Sequence, residues 1–189
     1  MAGSSVDELL APEQTGFAVY TAPADTDLPD DIADPFEDPW LLLGYIPESG
    51  FTITVNRETV SYRVMQLIFA ARKRAKAQEL EIGLALSQWG NDQFDFVFGG
   101  GTFEALASGV RYKLPLTSPG SKALALEVVD GDNVFRFGFL RGLVTGNTQI
   151  GFGQDNLAEF PVTFSPEPDD NGDLGNWDTN APGFEADIS

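Results

Sequence analysis

The chain of 189 residues has no histidine and no cysteine. Without His, the commonest general base and metal ligand is missing, which excludes His-dependent triads. Without Cys there are no disulfides, thiol nucleophiles, zinc fingers or iron–sulfur ligands, and nothing reports on redox compartment. Long hydrophobic runs are missing too: the longest apolar stretch, residues 40–46, is far too short to span a bilayer. Residues 1–14 contain neither a basic nor an apolar segment, so no signal peptide is read there. The expectation is a soluble chain made without an export signal. Positive charge is scarce, with 11 Lys and Arg against 29 Asp and Glu and a net charge of −18. Docking on phosphates or on an anionic membrane needs clustered bases, so both are disfavoured.

What is present suits one packed domain with tails: 42% hydrophobic residues and 15 Phe, which are large and compatible with sheet cores. The charge excess is not spread evenly. Residues 1–40 hold ten acids and no base, and the first base in the chain is Arg57. Residues 166–189 hold seven acids and no base, which leaves residues 41–165 nearly neutral, with 12 acids and 11 bases. The chain therefore divides into an acidic, Pro-rich N-terminal arm (1–40), a body (41–165) and an acidic C-terminal tail (166–189). Such segments read either as solubilising tails or as extended arms that order against neighbouring subunits. Tyr20, Phe36 and Trp40 give the N-terminal arm anchors that a pure tail has no use for.

The body reads mostly as strands. Phe51, Ile53 and Val55 alternate with Thr52 and Thr54, as in a half-buried strand. Residues 62–69 form an apolar run rich in strand formers. Leu80, Ile82, Leu84 and Leu86 alternate with Glu79, Glu81, Gly83 and Ala85. Between these two runs lie Arg72, Lys73, Arg74 and Lys76, read as a basic turn, with a helix over residues 70–80 as the alternative on propensity. Asn91 is a plausible N-cap for a short helix carrying Asp92, Phe94, Asp95, Val97 and Phe98, which Gly99-Gly100-Gly101 would stop. Residues 124–140 read as a hairpin turning at Asp130-Gly131-Asp132-Asn133, and residues 160–164 as a last strand. Short strands with turn signals and one helix predict a mainly β fold, a sandwich or barrel.

Little here carries chemistry. Asp169-Asp170-Asn171-Gly172-Asp173 invites a calcium-loop reading, but Leu174 stands where the loop needs glycine and Asn180 where it needs the bidentate Glu. The triple glycine lacks the strand-before, helix-after context of a phosphate loop. Glu79 with Glu81, and Asp130 with Asp132, are acid pairs of the kind any acidic chain makes. No catalysis, metal or cofactor is expected. The basic cluster at 72–76 is the one electrostatic anomaly. It reads as charges blunting a strand edge, as a complement to the acidic arms of another copy of the same chain, or as a nucleic-acid contact, for which four bases in a chain of net charge −18 make a poor footprint.

Three stretches in order resemble a known family. They are Thr15-Gly16-Phe17-Ala18-Val19-Tyr20-Thr21-Ala22-Pro23 followed by Thr26 and Leu28-Pro29, then Trp40-Leu41-Leu42-Leu43-Gly44-Tyr45-Ile46-Pro47-Glu48-Ser49-Gly50-Phe51-Thr52, and last Phe135-Arg136-Phe137, Gly142-Leu143-Val144-Thr145 and Glu159-Phe160-Pro161-Val162-Thr163-Phe164. Together they resemble the major tail tube proteins of long, flexible-tailed (siphovirus-type) bacteriophages, especially those of actinobacteria. Two departures stand out: Pro47 replaces a small polar residue, and Ala24-Asp25 replaces the usual Gly before Thr.

The resemblance implies a β-sandwich or barrel flanked by one short helix, six copies per ring, and rings stacked into a virion tail tube through which DNA leaves. The same fold serves contractile phages and type VI secretion. Implied partners are other copies of the chain, a tape measure protein inside the tube and tail-end or neck proteins. The interface candidates are Tyr20, Phe36, Trp40, Arg72, Lys73, Arg74 and Lys76, and the lumen candidates are Glu79 and Glu81, on the polar face of a strand. Rival readings are another virion β-protein (a decoration or tail-completion subunit) and a calcium- or saccharide-binding β-sandwich module.

Overall fold

The computed structural model describes residues 16–63, 65, 69, 72–114, 119–146, 149–153 and 157–184. Ten strands and one helix follow in the order β1 (Phe17–Pro23), β2 (Leu41–Leu42), β3 (Phe51–Tyr62), β4 (Arg72–Leu86), α1 (Asn91–Phe98), β5 (Thr102–Leu106), β6 (Gly109–Lys113), β7 (Lys122–Asp130), β8 (Asn133–Thr145), β9 (Phe160–Pro166) and β10 (Asn176–Thr179). Strands β5 and β6 form a separate ribbon that the sequence did not announce. The other eight make one antiparallel sheet in the order β2-β1-β7-β8-β9-β4-β3, with β10 also paired to β8.

Alternation decides which face of this sheet is buried. Val19, Leu124, Leu126 and Phe139 on one side of the sheet order share a core with Ile82, Leu84, Leu86, Val162 and Phe164 on the other. Strands far apart in the order thus meet face to face, so the sheet curls over its own apolar side. Helix α1 packs Phe96 and Val97 into the same core, and Gln93 donates from Nε2 to the Leu43 carbonyl at 2.9 Å. The helix lies where the sequence predicts it. Its N-cap is Gly90, with no side-chain cap bond, so Asn91 is the first helical residue and not the cap; Gly99 ends it with φ +57°. The predicted hairpin is β7–β8, closed by Gly131 (φ +60°) and Asp132 between the paired Asp130 and Asn133.

The N-terminal segment is structured. Phe17–Pro23, counted with the arm by charge, forms β1, an internal strand between β2 and β7. Residues 24–40 then cross the outer face of β1, β7 and β8. There Trp40 is buried with Ala22, Ala123 and Ala125, and Tyr20, Leu28 and Phe36 pack around them. Phe36 stacks on Tyr20 at 4.2 Å and meets Trp40 edge-on at 5.2 Å. These three anchors hold the arm on its own sheet and need no neighbour to be ordered; the reason is the strip of small alanines beneath them.

Arg136 locks this layer. At 3% exposure, its guanidinium donates to the carbonyls of Asp31, Ile32 and Asp34, at 3.0–3.3 Å, and to the Glu127 carboxylate at 2.9 Å. The Phe36 ring lies 4.5 Å away. One cation thereby satisfies three carbonyls of a chain segment that has no ladder of its own. The tail is tied in as well, since Asn176–Thr179 pairs with Phe135–Gly138 and the Trp177 ring packs on Phe137 at 4.6 Å.

Both departures from the family pattern have structural answers. Asp25 adopts φ +65°, a left-handed conformation that Asp tolerates better than most residues. Its amide donates to the Leu140 carbonyl and its carboxylate receives Arg141 at 2.6 and 3.0 Å. Pro47 opens a turn closed by the Gly50 amide on the Pro47 carbonyl at 2.9 Å, just before β3.

The two arginine pairs differ in burial, and their removal should differ accordingly. Arg136→Ala strands Glu127 and three carbonyls, and should cost about 3 kcal/mol or more in chemical denaturation. Arg141→Ala, in a solvent-screened pair, should leave the denaturation midpoint almost unchanged. Equal losses would contradict the role given to Arg136.

Candidate functional site

With no catalytic constellation in the sequence, the surface that the body leaves uncovered becomes the site. It centres on the β3–β4 hairpin. The register runs from Phe51↔Leu84 to Tyr62↔Arg72. Strand β9 supports β4 only over Ile82–Leu86. From Arg72 to Glu81 the only strand paired with β4 among the described residues is β3, and residues 72–79 are all exposed.

This corrects two expectations. The apolar run at 62–69 is not a strand among its described residues: β3 ends at Tyr62, Met65 lies in a turn and Phe69 in a bend, and the rest fall outside the described residues. The basic cluster is neither a turn nor a helix over residues 72–80. Arg72, Lys73, Arg74 and Lys76 are part of β4: the first three pair with Tyr62, Ser61 and Val60, and Lys76 is carried within the strand between the paired Ala75 and Ala77.

Period-two alternation sorts the hairpin into two faces. Phe51, Ile53 and Val55 stand opposite Leu84, Ile82 and Leu80 on the core side, while Thr52, Thr54 and Asn56 stand opposite Gly83, Glu81 and Glu79 on the outer side. The predicted half-buried strand has its apolar side only partly covered: Ile53 is 36% and Val55 44% exposed. The outer face continues through Thr163, paired with both Gly83 and Thr145, and through Ser165. Glu81 accepts from Asn56 Nδ2 at 3.2 Å. The lumen candidates Glu79 and Glu81 thus share one polar face with Thr and Asn and without Lys or Arg at these paired positions.

A bulge breaks the register between Glu58 and Thr59 and leaves Lys76 as the extra residue. It moves Arg72 and Arg74 to the side of the ribbon that carries Glu79 and Glu81, and Lys73 to the other. Lys76 is paired within the chain, to Glu58 at 3.0 Å. Among the described residues, Arg72, Lys73 and Arg74 have no acid within ion-pair distance.

Of the aromatic candidates, Trp40 is buried in its own chain at 7% exposure, while Tyr20 and Phe36 keep part of their surface. Beside them, edge strand β2 exposes Leu41 and Leu42, a pair that their place in an apolar run had concealed.

The Asp169–Asp173 loop closes on itself. The Asp169 carboxylate accepts from the amides of Asn171 and Asp173 at 2.9 and 2.8 Å and from Asn171 Nδ2 at 3.3 Å. These bonds, the Asp173 amide foremost, hold its carboxyl below the usual carboxylate range. Among the described residues no group of three or more His, Cys, Asp or Glu is arranged to hold a metal ion, and no helix is long and apolar enough to cross a membrane.

Comparison with known proteins agrees with this uncovered, chemically plain surface. The sequence matches the phage tail tube protein family over residues 6–187. The chain belongs to that family. It is therefore a structural component of a phage virion tail and not an enzyme. No curated protein sequence matches it. Among solved structures it is similar to a chain of the sheath–tube complex of an extracellular contractile injection system, PVC, in the extended state. The identity is 12% and the TM-score 0.50, over 95% of this tail tube protein and 99% of that chain. The sheath/tube terminator of such a system aligns at 12% identity over 92% of this chain and 99% of that one, with a TM-score of 0.47, too low to bear on the fold.

For Asp169 the linkage sign is that of a depressed acid. Its contribution to loop order is complete above the unfolded value near pH ~3.9 and is lost as pH falls through the lower folded value. In an NMR titration the Asn171 and Asp173 amide shifts should therefore move only below about pH 3.9. A midpoint at or above that value would contradict the loop geometry.

Proposed function

We propose that this tail tube subunit polymerises into hexameric rings stacked as the tube of a long, flexible phage tail, the conduit for genome ejection. The observation that carries this reading is the β3–β4 hairpin, whose outer part is largely exposed on both faces and where, among the described residues, Arg72, Lys73 and Arg74 have no acid within ion-pair distance. A free ribbon of this kind gains little stability in water, since two strands alone are marginal. A neighbour that covers it supplies the missing surface.

A tube needs one contact that closes the ring and one that propagates the stack. Edge strand β2, with exposed Leu41 and Leu42 beside Tyr20 and Phe36, is suited to the ring contact. Arg72, Lys73 and Arg74 are suited to the stacking contact, opposite acidic residues of the next copy. Individual screened pairs contribute about 0–1 kcal/mol, but six per ring bias the register together. The polar stretch bearing Glu79 and Glu81 lines the bore in this reading, ending before Arg74 and Arg72, which lie further out on the same side of the ribbon and meet the next copy. Phosphates are repelled there and duplex DNA slides, whereas basic walls would release counterions and hold it. A tape measure protein fills the bore before ejection, and tail-end and neck proteins cap the two ends.

Negative-stain microscopy of the purified full chain at raised concentration should show rings of six and tubes with an open bore; a persistent monomer would overturn the proposal. Replacing Arg72, Lys73 and Arg74 together by Glu should leave the melting temperature unchanged and abolish tubes. Glu79→Lys with Glu81→Lys, where tubes still form, should make them retain duplex DNA in a salt-sensitive way, and tubes that stay inert to DNA would count against the bore assignment.

A further inference from the structure

The hairpin is apolar at its two ends and polar between them. At its far end the connecting chain reads Arg63-Val64-Met65-Gln66-Leu67-Ile68-Phe69-Ala70-Ala71. Its described apolar members are exposed, Met65 fully and Phe69 at 83%. At the near end, between β3 and β10, lies an open groove of about 590 Å³ lined by Ile53, Val55, Leu80, Phe137, Leu174 and Trp177. Clustered apolar surface of this kind on a single chain marks a contact.

No chain can fill its own groove with its own tip. Val55 and Tyr62 lie about 23 Å apart along one strand at roughly 3.3 Å per residue, and continuous pairing between them keeps the ribbon extended. The charges around the two ends are complementary. The tip is flanked by Arg63, Arg72, Lys73 and Arg74, and the groove wall at Leu174 is entered directly from the acidic loop, where Asp170 and Asp173 are exposed. Asp169, the loop's third acid, is taken up by bonds inside the loop, which leaves Asp173 and Asp170 exposed, Asp170 at 4.0 Å from Arg141 of its own chain.

Resting on the polymer proposed above, we infer that the hairpin tip of one copy seats in the β3–β10 groove of a second copy. Met65 and Phe69 fill the groove between Val55, Leu174 and Trp177, and the basic collar meets Asp170 and Asp173. Tip and groove are different surfaces of the same chain, so the contact is heterologous and does not close by itself. It gives the tube a direction: each copy offers its groove at one end and its tip at the other.

The chain has no cysteine, so introduced thiols are unique. Full-length Phe69→Cys and Leu174→Cys proteins are mixed, assembled and oxidised. The expected result is a disulfide-linked dimer in the mixed polymer that neither variant forms alone and that is absent from dilute, unassembled protein. Polymer without that cross-link, or Phe69→Cys linking to itself, overturns the tip-in-groove contact and leaves the tube intact. Wild-type protein that never polymerises overturns the tube itself, and this contact with it. As a second reading, Phe69→Asp places a charge on an exposed site. It should leave the monomer's melting unchanged and raise the critical concentration for assembly about tenfold or more; an unchanged critical concentration overturns the contact.

Discussion

β4 runs for fifteen residues, yet strand β9 supports it over only the last five, Ile82–Leu86. Over the rest its only strand partner among the described residues is β3, itself the edge of the sheet. From Leu80 to Leu86 the hairpin turns its alternating Ile and Leu toward the core and behaves as part of a globular domain. Beyond it the same two strands continue into water as a ribbon. The bulge at Glu58/Thr59 lies in this unsupported part, where a change of twist disturbs no core packing. The position of the cations follows: bases cost least where nothing is buried, and Arg72, Lys73 and Arg74 stand there without an ion-pair partner among the described residues.

The opposite end of the sheet is managed differently. There the outer face of β1, β7 and β8 carries Ala18, Ala22, Ala123, Ala125 and Gly138, and an acidic, Pro-rich segment lies over it, held by Trp40 and Arg136. A Cβ added at Gly138 would run into Leu28 at 2.1 Å, which shows how close this layer sits. The negative charge of residues 24–40 therefore belongs to a packed outer layer as well as to the surface. One half of the outer face is sealed by the chain itself, and the other half, with Glu79, Glu81 and the threonines, is left polar and open. That division suits a subunit with one side for solvent or a neighbour and one side for a bore.

Strands with one buried face were legible because alternation reports burial directly. The inner part of β4 and β9 declared themselves in this way, the β7–β8 hairpin by its Asp130-Gly131 turn, and α1 by helical spacing ahead of a glycine stop. Three features were hidden for physical reasons. A strand passing from core into solvent loses its alternation where it leaves the core, so Arg72, Lys73, Arg74 and Lys76 looked like a turn. Exposed apolar residues outside a strand and an apolar strand have the same composition, so residues 62–69, with Met65 in a turn and Phe69 in a bend, looked like a strand. Charge counting drew the arm to residue 40 although Phe17–Pro23 is only a short apolar insert inside an acidic stretch, and that insert is β1. Strand β10 was not read, since Asn176–Thr179 offers only Trp177 and Thr179 as strand formers, in four residues of an acidic, Gly- and Asn-rich tail. The family resemblance resided in the sheet and its turns; of the proposed contact residues, Tyr20, Leu41 and Leu42 fall within those motifs and the basic part of β4 falls outside them.

The central claim is that the outer hairpin lacks support within its own chain and acquires it from a neighbour. Amide hydrogen exchange, compared residue by residue between dilute monomer and assembled tube, tests this most directly. The account predicts that amides of residues 57–62 and 72–79 exchange rapidly in the monomer and become strongly protected on assembly, while those of β7 and β8 are protected in both states. Hairpin amides that exchange at the same rate in monomer and tube would contradict it.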